Sequence, residues 1–340
     1  MPKQDADQQI NCFFDSAKQA AEFEFPAASE EIKAKRILFM GSPDFALPQL
    51  KALVEQGYNV VAVATQPDRK VGRKQVLTPT PVKVLAQELD LPVYDWVSLK
   101  NTEALEDLTQ IKPDLIITSA YGNILPPKVL DFPPYGCINI HPSDLPRWRG
   151  ASPIESALLA GDERVAASIM LMGEGLDDGD VLAKCYLAVN QEIDAPALST
   201  ELADLSAALL IKILPAWYLG LLSREEQDES KVTYAPKLSR EDGLLDWRKT
   251  AQENHDKVRA LRPWPEAYTI YQGQRYKVRK SSIIEEGTNA MPGEVVRRGK
   301  NLIVSCHDKL LCLEEIQSPK GKIMSGYDCY HNFAEGSFFD

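Results

Sequence analysis

The chain has 340 residues, 44% hydrophobic and 26% charged, with a formal net charge of -11. This composition excludes a disordered or fibrous protein, and the length predicts two globular domains with sizeable cores. No stretch reaches the roughly 18 apolar residues of a membrane-spanning helix, because Lys212 and Pro215 interrupt the apolar run from Leu205 to Leu222.

The first 32 residues are acidic, with Asp5, Asp7, Asp15, Glu22, Glu24, Glu30 and Glu31 against Lys3 and Lys18. They lack the Arg-rich composition of a transit peptide and the apolar core of a secretory signal, so an appended tail and a cytoplasmic location are expected. A short helix is expected within the tail, around Ala17 to Glu24. Regular structure should begin with a strand from Arg36 to Met40, ended by Gly41. Ser42, Pro43 and Asp44 then suit the first turn of a helix running to about Gln56. A strand from Asn59 to Thr65, a helix from Pro81 to Leu89, and strands at Leu115 to Ser119 and Cys137 to His141 continue the alternation. The pattern predicts an α/β domain, with a Rossmann-like parallel sheet and helices on both faces, over residues 33–222. The turn Gly41-Ser42-Pro43-Asp44 lacks the further glycines that admit a pyrophosphate, so no dinucleotide cofactor is expected.

Polar, acid-rich residues from 223 to 234 read as a linker. Residues 235–335 then read as a small OB-like β-barrel: a helix from Thr250 to Leu261 is followed by short strands near Tyr268 to Tyr271, Tyr276 to Lys280, Glu294 to Val296, Leu302 to Cys306 and Leu310 to Leu313. Trp247 and Trp264 are expected in its core. The six cysteines contain no CxxC pair and suit reduced thiols. No metal is expected, since Cys306, His307 and Cys312 fall in a hairpin pattern. Charge is uneven along the chain: residues 231–300 carry 15 basic and 9 acidic side chains, against 20 basic and 34 acidic in residues 1–230. A basic module beside an acidic one suits a polyanionic partner, although an ordinary solvated surface accounts for it equally well.

The segment GCINIHPSDLPRWRGASPI, from Gly136 to Ile154, carries the clearest chemistry. Residues two apart on a strand share a face, so Asn139 and His141 would emerge side by side. A hydrogen-bond donor and a titratable ring aimed at one point suit a reaction passing through an oxyanion. Asp177 lies in the glycine-flanked loop GLDDGD, 36 residues after His141. On residues alone, that loop reads equally as a functional carboxylate, a solvated turn or a divalent-ion loop.

Taken in order, GSPDFA (41–46), QPDRKVGR (66–73) with PTPVKVLA (79–86), AYGNILP (120–126), the segment above, GLDDGD (175–180), VTYAPKL (232–238), DW (246–247) and RALRPWPEA (259–267) resemble the methionyl-tRNA formyltransferase family over residues 36 to about 330. The resemblance implies formyl transfer from 10-formyltetrahydrofolate to the α-amine of methionyl initiator tRNA, with tetrahydrofolate as product and Asn139, His141 and Asp177 as the catalytic trio. Asn139 would donate to the oxyanion, His141 would assist there or move a proton, and Asp177 would orient the ring. The segment Ser143, Asp144, Leu145 and Pro146 matches the family's folate-binding SLLP. It departs from the pattern at Asp144, and at the preceding Pro142; Arg147 and Arg149 are the nearby candidates to pair with the Asp144 carboxylate. The resemblance also places Arg69, Lys70, Arg73 and Lys74 on a loop that enters the tRNA acceptor stem, with Arg73 matching the arginine that reads the initiator. Lys237, Arg248, Lys249, Arg259 and Arg262 are expected phosphate contacts. A monomer is expected. Three other readings are a sugar-amine formyltransferase, a formyltetrahydrofolate hydrolase, and a catalytically silent RNA-binding protein of the same fold.

Overall fold

The computed structural model describes residues 10, 12–72 and 74–340, so Arg73 lies outside the described residues. They form two compact units. The first comprises the described part of Met1–Gly150 with Arg164–Ala188 and Ser199–Tyr234; the second comprises Ala151–Glu163, Val189–Leu198 and Ala235–Asp340.

The first unit is built on an eight-stranded sheet. In chain order its strands are β1 (Phe13–Phe14), β2 (Ile37–Gly41), β3 (Val60–Ala64), β6 (Val93–Tyr94), β7 (Leu115–Ser119), β8 (Cys137–His141), β10 (Arg164–Leu171) and β11 (Val181–Ala188), with β4 (Arg69–Val71), β5 (Val76–Thr78) and β9 (Arg149–Gly150) outside it. The spatial order is β6-β3-β2-β7-β8-β10-β11-β1. The run from β6 to β8 is parallel. Beyond it, β10 and β11 turn the sheet antiparallel, an edge the alternating pattern did not announce. All five residues of β2 and of β7 are buried, as expected of parallel strands covered on both faces. A cluster of Leu38, Met40, Ala62, Ile116, Trp96 and Leu108 forms part of the packing on one side. Gly41 is required where β2 ends, since a Cβ there would stand 2.8 Å from that of Ala46 and 3.0 Å from the Ser119 carbonyl oxygen.

The described part of the acidic tail packs within this unit. β1 adds a parallel strand beside β11, and a helix follows over Ala17–Glu22, capped by Ser16. Phe14 packs its ring against Phe23 and Phe25, with centroids 5.5 and 6.1 Å away. The Lys212 ammonium donates to the Ala20 and Ala21 carbonyls, each at 2.7 Å.

In the second unit, Thr250 and Glu253 form a capping box that starts the helix Ala251–Ala260. The antiparallel strands Tyr268–Tyr271, Gln274–Gly287, Val295–Arg298, Asn301–Ser305, Lys309–Gln317 and Ile323–Ser325 follow. Tyr268–Tyr271 and Val295–Arg298 are the two ends of the five-strand path. The segment 336–340 joins them: Ile270 and Asp340 exchange backbone bonds at 2.8 and 3.4 Å, while Val295 exchanges bonds with Ser337 and Gly336 at 2.8 and 3.0 Å. The interior includes Trp247, Tyr271, Val278, Leu311, Phe333 and Phe339. Trp247 is 4% exposed, whereas Trp264, also expected in the core, is 50% exposed.

Candidate active site

Asn139 and His141 stand where β8 reaches the carboxyl ends of the parallel strands, the side on which open α/β sheets bind ligands. Asn139 lies opposite Thr118 of β7, whose hydroxyl donates to Asn139 Oδ1 at 2.7 Å. That bond fixes the amide's direction, because Oδ1 is occupied by a donor and Nδ2 must face away from Thr118. Nδ2 lies 3.4 Å from Asp177 Oδ1.

His141 is 5% exposed. Its Nε2 is 2.9 Å from the Trp148 carbonyl oxygen. A carbonyl has no proton to give, so Nε2 carries the ring hydrogen of the neutral imidazole and Nδ1 holds the lone pair. Nδ1 lies 3.8 Å from Asp177 Oδ2, beyond direct hydrogen-bond length. The Gly150 amide donates to the same carboxylate oxygen at 2.9 Å. The three expected residues thus meet at one point.

The loop carrying Asp177 is held from several sides. Asp177 has a φ of 50°, a left-handed conformation that Asp tolerates better than bulkier residues. A Cβ at Gly179 would overlap the Leu171 carbonyl, so that position admits only glycine. Gln227 donates from Nε2 to the Asp177 carbonyl at 2.8 Å and to the Gly179 carbonyl at 2.7 Å. Its Oε1 accepts from Arg149 Nε at 2.9 Å, and Arg149 also reaches Glu229 at 2.8 Å. Arg149 is 3% exposed and Gln227 7%. Sequence reading weighed Arg149 only as a partner for Asp144 and passed over Gln227, treating the stretch around it as a polar linker. Two further non-glycine residues with positive φ flank the site, Ala120 at 47° and Trp148 at 65°; backbone strain of this kind collects where geometry is functionally constrained.

The segment Ser143 to Pro146 is engaged within the protein. The Ser143 hydroxyl donates to the Arg147 carbonyl at 2.7 Å, and Leu145 is fully buried. Asp144 takes neither nearby arginine: its Oδ1 accepts from Lys184 Nζ and from the Tyr186 hydroxyl, each at 2.9 Å. Both partners stand on β11, across the sheet edge. Burial, and then the Asp144 charge, push the Tyr186 hydroxyl up to about 12. The Arg147 guanidinium lies 4.3 Å from the Trp148 ring centroid instead.

Arg69 and Lys70 lie on β4 of an exposed antiparallel hairpin with β5, and Lys74 lies exposed on its turn. Three apolar side chains, Val71, Val76 and Leu77, are exposed on the same hairpin. In the second unit Lys237, Arg248 and Lys249 are exposed, with Arg248 on Asp246 at 2.8 Å and Lys249 on Glu253 at 3.0 Å. Arg262 pairs with Asp194 at 2.9 Å. Arg259 departs from its expected role: it is 6% exposed, and its guanidinium is taken up by Asp256 at 2.7 Å and the carbonyls of Asn190 and Ile193. A guanidinium closed in this way is a structural ion pair rather than a phosphate contact. Among the described residues, no group of three His, Cys, Asp or Glu side chains could hold a metal ion, and no helix is long and apolar enough to cross a membrane.

Residues 35–214 match the formyl transferase family and residues 237–334 match the formyl transferase C-terminal domain. The chain belongs to the formyl transferases. Among relatives, it is 44% identical over 295 residues to a methionyl-tRNA formyltransferase of Bacillus subtilis, covering 86% of this chain and 93% of that one. It is 41% identical to the enzyme of the same name from Caldanaerobacter subterraneus, covering 89% and 99%. HypX from Aquifex aeolicus, solved in complex with tetrahydrofolic acid, shares the fold at a TM-score of 0.61 and 19% identity; the match covers 89% of this chain but only 48% of HypX, about half its length.

Proposed function

We infer that this enzyme transfers the formyl group of 10-formyltetrahydrofolate to the α-amine of methionyl initiator tRNA. The observation that carries the reading is the convergence of Asn139 Nδ2, His141 and the Asp177 carboxylate in a chain 44% identical to a methionyl-tRNA formyltransferase over most of both lengths. The uncharged amine attacks the formyl carbon and the carbonyl electrons move onto oxygen. Asn139 Nδ2, pre-aimed by Thr118, donates to that oxyanion. His141 Nδ1, left unprotonated by the Nε2 bond to Trp148, takes the amine's proton and returns it to N10 as the carbon–nitrogen bond to tetrahydrofolate breaks. Asp177 lines the path of that proton and is held by Gly150 and by Gln227, which grips its backbone.

The donor would lie against the loop from Ser143 to Pro146. Ser143 and Leu145 are buried and shape that loop from within, while Asp144, anchored on Lys184, and Pro146 are half-buried. That HypX, of the same fold, binds tetrahydrofolate supports a folate donor. Arg69, Lys70, Arg73 and Lys74 would approach the acceptor stem, Arg73 reading the initiator, while Lys237, Arg248, Lys249 and Arg262 would meet phosphates. A monomer in the cytoplasm, needing no metal, completes the proposal.

The test supplies 10-formyltetrahydrofolate with methionyl initiator tRNA, with an amino sugar, or alone, and follows the formyl group. Transfer to the tRNA amine is expected. Transfer to the sugar, or formate release without acceptor, would replace the reading with a sugar-amine transferase or a hydrolase.

A further inference from the structure

The formyl transferase match begins at residue 35, yet an earlier strand reaches the loop that fixes the site. Phe13 of β1 lies opposite Lys184 of β11, and the Cys12 carbonyl accepts the Lys184 amide at 2.9 Å. The Phe13 ring packs on the buried cluster of Leu145, Met170 and Val181, with Lys184 Nζ 5.9 Å from its centroid. Lys184 Nζ donates in turn to Asp144 and to the Leu145 carbonyl. The side chain and the carbonyl of Leu145 are therefore both held from this edge of the sheet. Leu145 belongs to the loop whose Trp148 carbonyl binds His141 Nε2 and whose Gly150 amide binds Asp177.

Covering the open edge of β11 would require only the backbone of β1. The placement of its side chain requires more. We propose that β1 is a positioning strand for the transfer site: Phe13, packed on the cluster that contains Leu145 and beside Lys184, sets the course of the 143–150 loop and, through the Trp148 carbonyl, the orientation of the His141 ring. Phe14, anchored among Phe23 and Phe25, keeps the strand in place. The inference rests on the proposed function only in assigning His141 to the transfer; the ring's orientation is measurable without it.

The chain has four histidines, so selective ¹⁵N labelling of their rings gives few enough signals to assign. In the full-length protein His141 should show the fixed Nε2–H form. Phe13→Ala, which keeps β1's backbone pairing, should move the His141 ring nitrogens toward averaging between tautomers and leave His255, His307 and His331 unmoved. Turnover at saturating substrates should fall about tenfold, less than the ~10²-fold that a misplaced reacting group can cost, and Phe13→Leu should restore both readouts. Unmoved His141 nitrogens in folded Phe13→Ala, or equal shifts of all four rings, would overturn the proposal. If the unaltered protein transfers no formyl group, the proposed function falls, while the ring-nitrogen result still decides the role of Phe13.

Discussion

Gln227→Glu isolates one part of the site. The carboxylate retains an acceptor for Arg149 but removes both Nε2 donors, at 2.8 and 2.7 Å from the Asp177 and Gly179 carbonyls, and sets an oxygen against each. Two hydrogen bonds of about 1 kcal/mol each are lost, and carbonyls left unpaired add to that. The charged pairing with Arg149 offsets part of the loss in stability, but it does nothing for the loop. If about 1.4 kcal/mol of the loss appears as misorientation of Asp177 in the transition state, turnover falls about tenfold. Steady-state kinetics with methionyl-tRNA varied at saturating formyl-folate should show this drop in kcat with KM for tRNA nearly unchanged, since Gln227 is 7% exposed. Gln227→Ala should match it in kcat and unfold at a lower temperature, having also stripped Arg149 of its acceptor. A Gln227→Glu enzyme with unaltered kcat would refute the claim that this side chain holds the catalytic loop.

Asn139→Ala should reduce kcat by roughly 10²-fold, the scale measured for single oxyanion donors, and a loss confined to KM would contradict that role. Asp144→Leu leaves Lys184, whose side chain is 9% exposed, without its carboxylate. Thermal unfolding should therefore show a clear destabilisation, much of it recovered by adding Lys184→Met, because an uncompensated buried charge is worse than none; additive losses would speak against the pairing. Burial raises the Glu155 carboxyl above its ordinary 4.5. A raised folded-state value means that its favourable contribution is complete below the unfolded value and is lost as pH rises through the folded one. Glu155→Gln should accordingly raise the unfolding temperature at pH 7 and leave it nearly unchanged at pH 4. Finally, burial lifts Cys12, Cys137 and Cys306 to about 12 and Cys185 and Cys329 to about 11, so these thiols should resist alkylation at pH 8 until the chain unfolds.

Local pattern made β8 legible to the residue, because Cys137 to His141 is a short apolar run with two polar side chains at period two. Thr118 was hidden because its role depends on parallel register between β7 and β8, which no local pattern states. Asp144 was expected to pair within its own loop, yet its partner Lys184 is 40 residues away on a strand that adjoins it only after the antiparallel edge has formed. Gln227 sits among Glu225, Glu226, Asp228 and Glu229, a composition that reads as solvated chain. Its burial comes from Arg149, 78 residues earlier. In both cases the missing information was long-range packing rather than residue chemistry. The reverse error, at Arg259, has the same origin: a basic residue in a basic stretch suggests a phosphate, until helix packing encloses it with Asp256.

The join between Ile270 and residues 336–340 also bears on biosynthesis. A ribosome that has made the strands from Tyr268 to Gln317 has produced a sheet whose two end strands, Tyr268–Tyr271 and Val295–Arg298, still present unpaired amides and carbonyls, and these open rims are templates for pairing with another chain. Only when Ser337 to Asp340 emerge can Phe339 enter the interior and both rims be satisfied. Chains stalled or trimmed shortly before that point should therefore be the species of this protein most prone to aggregate.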